Sequence, residues 1–293
     1  MAALQAGPLP AQAAARVGSG PRTPATSVAR PRPKQRTPVH TVAPRAKTKT
    51  RVVVDAGHGG RDPGGPIRAG ALSEKDITLQ VAMKVGDALR ARGVDVVFTR
   101  TKDTLVALDD RGHMANQLRG DIFISIHVNA ANPGWKDPGA ARGFETYFLA
   151  EAKTEDARRV EEMENEVVRF ESETKLQSND PLSFILSDMR QNEHLRESSD
   201  LAEIVQRHLE EVHPGPNRGV KQAGFRVLVS AFMPAVLVEI GFGTNAAEAE
   251  FMSKPAKQRV LARAIATATT EYLERYQRRV GGGAAAPASG AHE

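Results

Sequence analysis

The chain has 293 residues and a formal net charge of +5, a length that accommodates one large domain or two small ones. It contains no cysteine, which excludes disulfide bonds and thiolate catalysis and confines any metal site to histidine and carboxylate ligands. No run of about 18 apolar residues is present, so no transmembrane segment is expected.

The basic charge is unevenly placed. Residues 1–51 contain ten Lys or Arg, no Asp or Glu, and much Pro, Ala, Thr and Gly. Such a composition buries too little apolar surface to offset the entropy of ordering, so 1–50 is expected to be a disordered basic tail or linker. Without that stretch the chain holds 30 Lys and Arg against 35 Asp and Glu, a mildly acidic folded part. The tail has no interleaved aromatic residues and so offers no stacking platform, and a specific nucleic-acid partner is not expected. Its start, MAALQAGPLPAQAAARVG, lacks a charged region followed by an apolar stretch, so no signal peptide is visible. The abrupt beginning inside linker-like sequence points to a processed or truncated chain. Residues 279–293, ending GGGAAAPASGAHE, are expected to be a second disordered tail. The remainder, 51–278, is long enough for one well-packed domain.

Within it, RVVVDAG (Arg51 to Gly57) is a short apolar run ending in glycine, the pattern of a buried strand feeding a loop. Ile77, Val81, Val85 and Leu89 recur at helical spacing between Lys75 and Arg92, and Gly93 ends that helix. VDVVFTR (Val94 to Arg100) reads as a second strand, Leu108 to Leu118 as a short helix, and DIFISIHVNA from Asp121 as a third strand. GFETYFLA (Gly143 to Ala150) is a further strand. Glu151 to Lys175 then carries nine acidic and five basic residues around a narrow apolar stripe of Val160, Met163, Val167 and Phe170, the pattern of a charged helix with one apolar edge. A second helical stretch follows Pro181, with Leu182, Ile185, Leu186 and Met189 on one face and later Leu201, Ile204, Val205, Leu209 and Val212. After the turn HPGPNRG, FRVLVS (Phe225 to Ser230) and PAVLVEIGF (Pro234 to Phe242) read as two strands, and a helix from Lys254 to Gln277 closes the domain. Strands alternating with helices predict a single α/β domain: a mostly parallel twisted sheet flanked by helices on both faces, with a helical insertion before the last strands.

In such sheets functional groups collect at strand ends and the adjoining loops. His58, in VDAGHGG, and His127, in SIHVNA, are both placed just past predicted strands, where a histidine has little core packing to serve. Two imidazoles and one carboxylate match a catalytic zinc, which keeps three protein ligands and one open position. Glu74 is the candidate carboxylate, although SEKD before an apolar run also fits a helix first turn, where an acid favours the dipole. Glu239 lies inside PAVLVEIGF, a run suited to burial on both faces. A carboxylate there is paired, metal-bound or protonated; it suits a general base beside a metal-bound water, or a buried salt bridge to Arg111 or Lys221.

These residues stand in motifs that resemble the zinc-dependent N-acetylmuramoyl-L-alanine amidases of the amidase 3 type. The likeness runs from about Arg51 to Tyr276. VVVDAGHGGRDPGG is similar to that family's opening motif with the first zinc histidine, LSEKDITL to the segment with the glutamate ligand, and SIHVNA to the segment with the second histidine. RGVKQAGFRVL followed by MPAVLVEIGFGTN is similar to the closing motif with the catalytic glutamate. The resemblance implies a Zn2+ cofactor on His58, Glu74 and His127, with Glu239 as proton carrier. It implies hydrolysis of the amide between N-acetylmuramic acid and L-alanine of peptidoglycan, in wall remodelling and daughter-cell separation. Asn129 and Arg111 lie in segments similar to the family's and are candidates for substrate contact or for support of the metal ligands. His113 is read as a surface or packing residue. Because peptidoglycan lies outside the inner membrane, the resemblance implies a periplasmic or cell-envelope location.

Family members that split daughter cells carry an extra helical segment over the active site until an activator binds. The insertion at 151–189 is expected to be such an autoinhibitory lid, one of its Glu residues filling the open zinc position and its apolar stripe docking a protein activator. A monomer is expected. Alternatives of other classes are a non-catalytic peptidoglycan-binding module, which would lack a ligand or the glutamate, another zinc amidohydrolase, and a non-haem iron oxygenase, whose two-His-one-carboxylate site sits in a barrel rather than in alternating strands and helices.

Overall fold

The apolar runs RVVVDA, IFISIHVN and AVLVEIGF form the centre of the sheet, because a strand covered on both faces must be apolar nearly throughout. The computed structural model of the chain describes residues 49–68, 72–171 and 181–282, with the backbone alone over 181–193 and 280–282. Of the two expected tails, 1–48 and 283–293 lie outside these residues. The strands are β1 (Arg51–Ala56), β2 (Asp95–Phe98), β3 (Ile122–Asn129), β4 (Phe144–Leu149), β5 (Asn217–Ala223) and β6 (Ala235–Phe242). They form one six-stranded sheet in the order β2-β1-β3-β6-β4-β5. β2, β1, β3 and β6 are parallel. β4 runs antiparallel to β6 and parallel to β5.

Side-chain alternation divides the sheet's two faces. Val52, Val54, Ile122, Ile124, Ile126, Val236 and Val238 point into one core, covered by α1 (Glu74–Arg90), α4 (Pro181–Glu210) and α7 (Pro255–Gly282). Val53, Phe123, Tyr147 and Leu237 point into the other, covered by α2 (Leu108–Gln117), α3 (Glu155–Asn165) and α5 (Arg226–Val229). A last short helix, α6 (Ala246–Ser253), joins β6 to α7. The even period of β3 and β6 therefore turns His127, Asn129 and Glu239 toward the α2–α3–α5 side. The chain passes from β1 through α1 on one face to β2, and from β2 through α2 on the other face to β3, so a crevice opens at the carboxyl ends of β1 and β3, where ligands of open α/β sheets collect.

The structure corrects several expectations. FRVLVS is not a strand: Phe225 caps α5, and Phe225, Val227 and Leu228 are buried while Val229 is 40% exposed. A short apolar run of this kind has no period that separates strand from helix. The edge strand is instead the polar segment NRGVKQA, which needs little apolar character because one edge has no neighbour. His127 lies within β3 rather than past it, followed by a register shift between His127 and Asn129 against β6. The charged insertion forms α3 and a 3-10 turn (Glu166–Phe170), and α4 continues through residue 189 to Glu210 as one 30-residue helix. The face predicted for Leu182, Ile185, Leu186 and Met189 lies outside the described side chains. α7 extends to Gly282, beyond the expected limit at 278.

Ile124 is fully buried at the centre of β3. Ile124→Ala is expected to lower unfolding free energy by about 2–5 kcal/mol, read as a shift of the urea midpoint with unchanged slope.

Candidate metal centre

The loop after β1 is bent sharply. His58 has φ 60, left-handed for a non-glycine residue, a conformation that costs about 1–2 kcal/mol and persists only where its surroundings impose it. Arg111 imposes it from beneath: Nη2 donates to the His58 carbonyl at 2.9 Å, and Nη1 donates to the Ala56 carbonyl at 2.7 Å and to Asp55 Oδ1 at 2.9 Å. Asp55 also accepts from Ser125 Oγ at 2.6 Å and from Thr99 Oγ1. Arg111 is 1% exposed, and these bonds make it a support of the loop. The His58 ring is oriented by Asp62, whose Oδ2 lies 2.7 Å from Nδ1, leaving Nε2 to face the crevice. A carboxylate behind a ligating histidine fixes its tautomer in just this way.

Glu74 is the first residue of α1, where local pattern fits a helix cap and the motif resemblance implies a ligand. Asp76 takes the capping role, its Oδ2 accepting from the Ser73 amide at 2.9 Å. Glu74 is free to turn inward and is fully buried. Its Oε2 accepts from the Gly65 amide at 2.6 Å and its Oε1 from the Val128 amide at 2.8 Å. Gly57 lies against the His127 ring so closely that any Cβ would overlap it, so the ring's position depends on that glycine.

His58, Glu74, His127 and Glu164 come together at this point, all buried, each offering one ligand atom and all four atoms within 4.8 Å of one another. Glu74 Oε1 lies 3.0 Å from His58 Nε2 and 3.6 Å from His127 Nδ1. Glu164 Oε2 lies 3.3 Å from His58 Nε2 and 2.8 Å from His127 Nδ1. Despite these separations, His58 Nε2, His127 Nδ1 and Glu164 Oε2 make no hydrogen bond of acceptable angle. The atoms aim at a shared centre rather than at one another, as ligands around an ion do. Burial opposes the charge of the imidazoles, yet Glu74 and Glu164 outweigh it and raise His58 well above the ordinary histidine range, and Glu164 raises His127 to about 10. A site this negative favours a cation.

Glu239 is fully buried and stands in register with His127 across β3 and β6. Neither of its carboxylate oxygens has a hydrogen-bond partner. The alternative salt bridges fall away: Arg111 pairs with Asp55, and Lys221 with Glu145 and Asp156. Burial first, and then the nearby Glu164 carboxylate, push Glu239 well above the usual carboxylate range. Such a group holds or passes a proton. Asn129 is also fully buried, and its Nδ2 has no partner. His113 is exposed.

Glu164 arrives on α3, the helix predicted from the charged insertion. That helix is fastened down along its length. Val160 and Val167 are buried with Tyr147, Phe225 and Leu237, so most of the apolar stripe packs on the domain. Arg159 Nη1 donates to the Ala130 carbonyl at 2.8 Å, Asn165 Nδ2 to the Gly224 carbonyl at 3.1 Å, and the Gly224 amide to Glu161 Oε2 at 2.9 Å.

Comparison with known proteins places this geometry in a family. A model described as N-acetylmuramoyl-L-alanine amidase matches residues 52–271. The chain is 33% identical to the amidase AmiA of Escherichia coli over 78% of its own length and 79% of the relative's. It is 31% identical to AmiC of Neisseria meningitidis over 76% of its length and 52% of that protein's. Among solved structures, an N-acetylmuramoyl-L-alanine amidase from Clostridium difficile superposes with a TM-score of 0.58 at 29% identity, covering 77% of this chain and 97% of that one. AmiC2 of Nostoc punctiforme gives 0.57 at 28%, covering 78% and 100%. The chain belongs to the N-acetylmuramoyl-L-alanine amidase family.

Proposed function

We propose that this amidase is zinc-dependent, that His58, Glu74 and His127 hold the ion, and that Glu164 closes the site until α3 is moved. The observation that carries the reading is the set of buried ligand atoms that converge without bonding to one another, beside a buried carboxylate with no partner of its own. Two neutral imidazoles and a carboxylate suit zinc and leave it net positive. A zinc ion so held supplies Lewis acidity at the scissile carbonyl and acidifies a water toward pKa ~7.

The chain's own residues do the rest. A Glu239 carboxylate oxygen takes the proton of the attacking water and returns it to the nitrogen of the departing L-alanine as the amide C–N bond breaks. Burial of Glu239 and then the nearby Glu164 carboxylate keep its proton affinity high. Arg111 and Asp62 hold His58 in the productive orientation. Asn129, whose amide nitrogen is unpartnered, is positioned to meet the substrate once α3 lifts.

Peptidoglycan as substrate puts the enzyme in the cell envelope, and no described helix is long and apolar enough to cross a membrane. A protein activator that engages the 151–189 insertion and withdraws α3 would restrict cutting to sites of wall remodelling and daughter-cell separation. α3's apolar stripe is largely spent on the domain, so the activator's first contact falls on the helix's charged outer face or on the insertion beyond it.

Glu239→Gln is expected to lower turnover of muramoyl-L-alanine substrates about 10²–10⁴-fold with unchanged metal content, measured by product mass spectrometry and metal analysis. Removal of the metal by a chelator is expected to abolish activity, and zinc to restore it. Glu164→Ala is expected to raise basal activity of the full chain at least about tenfold by vacating the fourth position; unchanged activity in a folded Glu164→Ala protein contradicts the closed-lid reading.

A further inference from the structure

Beside Glu239, on the same face of the sheet, lies a second charged constellation that the hydrolytic chemistry does not use. Glu145 of β4 is the register partner of Glu239 across β6 and is fully buried. Two cations of the edge strand β5 hold it: Arg218, through Nε, and Lys221, whose Nζ is 2.9 Å from Glu145 Oε2. Tyr147 donates its hydroxyl to the same carboxylate. Both cations also reach upward to one further group, Asp156 of α3. Arg218 Nη2 lies 3.1 Å and Lys221 Nζ 2.9 Å from Asp156 Oδ2. The pair is thus sandwiched between a carboxylate fixed in the sheet and a carboxylate brought by the helix that also carries Glu164.

The two acidic groups of α3 have different partners but one fate. Asp156 and Glu164 are eight residues apart, roughly 12 Å along the helix axis, and any movement that frees the metal centre carries Asp156 from the cations as well. Arg218 and Lys221 then face the crevice with only Glu145 to balance them, a net positive site of two donors next to Glu239. Their side chains are 27% and 18% exposed even with α3 in place, so they lie at the surface that opens. Partly buried cations left short of one carboxylate favour a replacement of the same chemistry.

We propose that Arg218 and Lys221 form a carboxylate-binding subsite for the peptide side of the substrate, and that Asp156 occupies it while α3 is closed. The ligand is an acidic peptide. β5 lies two strands from β6, about 10 Å at the usual strand spacing, and an extended chain covers about 3.3–3.6 Å per residue, so a carboxylate borne by the second or third residue past the scissile amide is placed to reach the pair while that amide lies at Glu239. This rests on the amidase reading of the centre, and on α3 as its cover. The subsite makes the enzyme select for stems with a free carboxylate over amidated ones, and it makes α3 a mimic of substrate at two points rather than one.

The test uses the full-length Glu164→Ala protein with zinc and two synthetic muramyl tripeptides, identical but for free carboxylates or carboxamides on the second and third residues. The subsite predicts kcat/KM at least about tenfold higher for the acid than for the amide, the scale of one charge-assisted bond. Lys221→Gln in that background, which leaves Arg218 on Glu145, is expected to lower kcat/KM on the acid about tenfold and on the amide less than about twofold. Equal cleavage of both peptides by the Glu164→Ala protein overturns the proposal. So does an equal loss on both in the Lys221→Gln variant, which is what a purely structural role produces. If neither peptide is cut, the amidase reading fails, and equilibrium binding of the same two peptides decides the subsite alone: preference for the acid supports it and equal affinity overturns it.

Discussion

Two imidazoles and two carboxylates buried within 4.8 Å of one another are difficult for a folded chain to tolerate. Each needs a partner to offset lost hydration, and here the geometry denies them good hydrogen bonds to each other. A divalent cation would resolve the conflict, because it would satisfy the unpartnered atoms at once and release the imidazole protons. Much of the neighbouring structure is arranged to keep the groups convergent. Gly57 lets the His127 ring approach, Asp76 relieves Glu74 of capping duty, and Arg111 with Asp55 holds the left-handed turn at His58.

The sheet explains why the centre is where it is. β1 and β3 diverge in their connections, and the crevice so formed lies at their carboxyl ends. β6 adds Glu239 opposite His127, and the reversal of β4 brings Glu145 beside Glu239. The convergent histidines and carboxylates, Glu239 and the Arg218–Lys221 pair therefore lie in succession across one face, and α3 supplies Glu164 and Asp156 to it. α3 and the turn after it are held by apolar burial of Val160 and Val167 as well as by polar contacts, so on the proposed lid reading opening would expose apolar surface and need a partner or substrate that compensates for it.

Much of this was legible in the sequence because it is written in local pattern. The three central strands were continuous apolar runs, and a buried acid inside one of them marked Glu239. Two histidines in glycine-bounded or strand-end settings marked His58 and His127. What escaped was whatever depended on partners distant in sequence. FRVLVS carries no period, and its helical form follows from packing across the sheet. Local pattern alone did not separate Glu74 from a helix cap; the LSEKDITL motif marked it as a ligand, and Asp76 is what holds the cap. Asp62 went unread although it follows His58 by four residues; the rule that a ligating imidazole leans on a carboxylate would have pointed to it. The insertion offered nine acidic residues between Glu151 and Lys175, and only the folded path of α3 selects Glu164 for the metal centre and Asp156 for the cations.

The proposed assignment makes the convergent groups ligands of one zinc ion, with Glu164 among them while α3 is closed. X-ray absorption at the zinc edge of the purified full-length protein tests it directly. A four-coordinate ion with two imidazole nitrogens and carboxylate oxygens at about 2.0–2.2 Å is expected, with one carboxylate oxygen replaced by water in Glu164→Ala. A spectrum without imidazole scattering, or one that Glu164→Ala leaves unaltered, contradicts it.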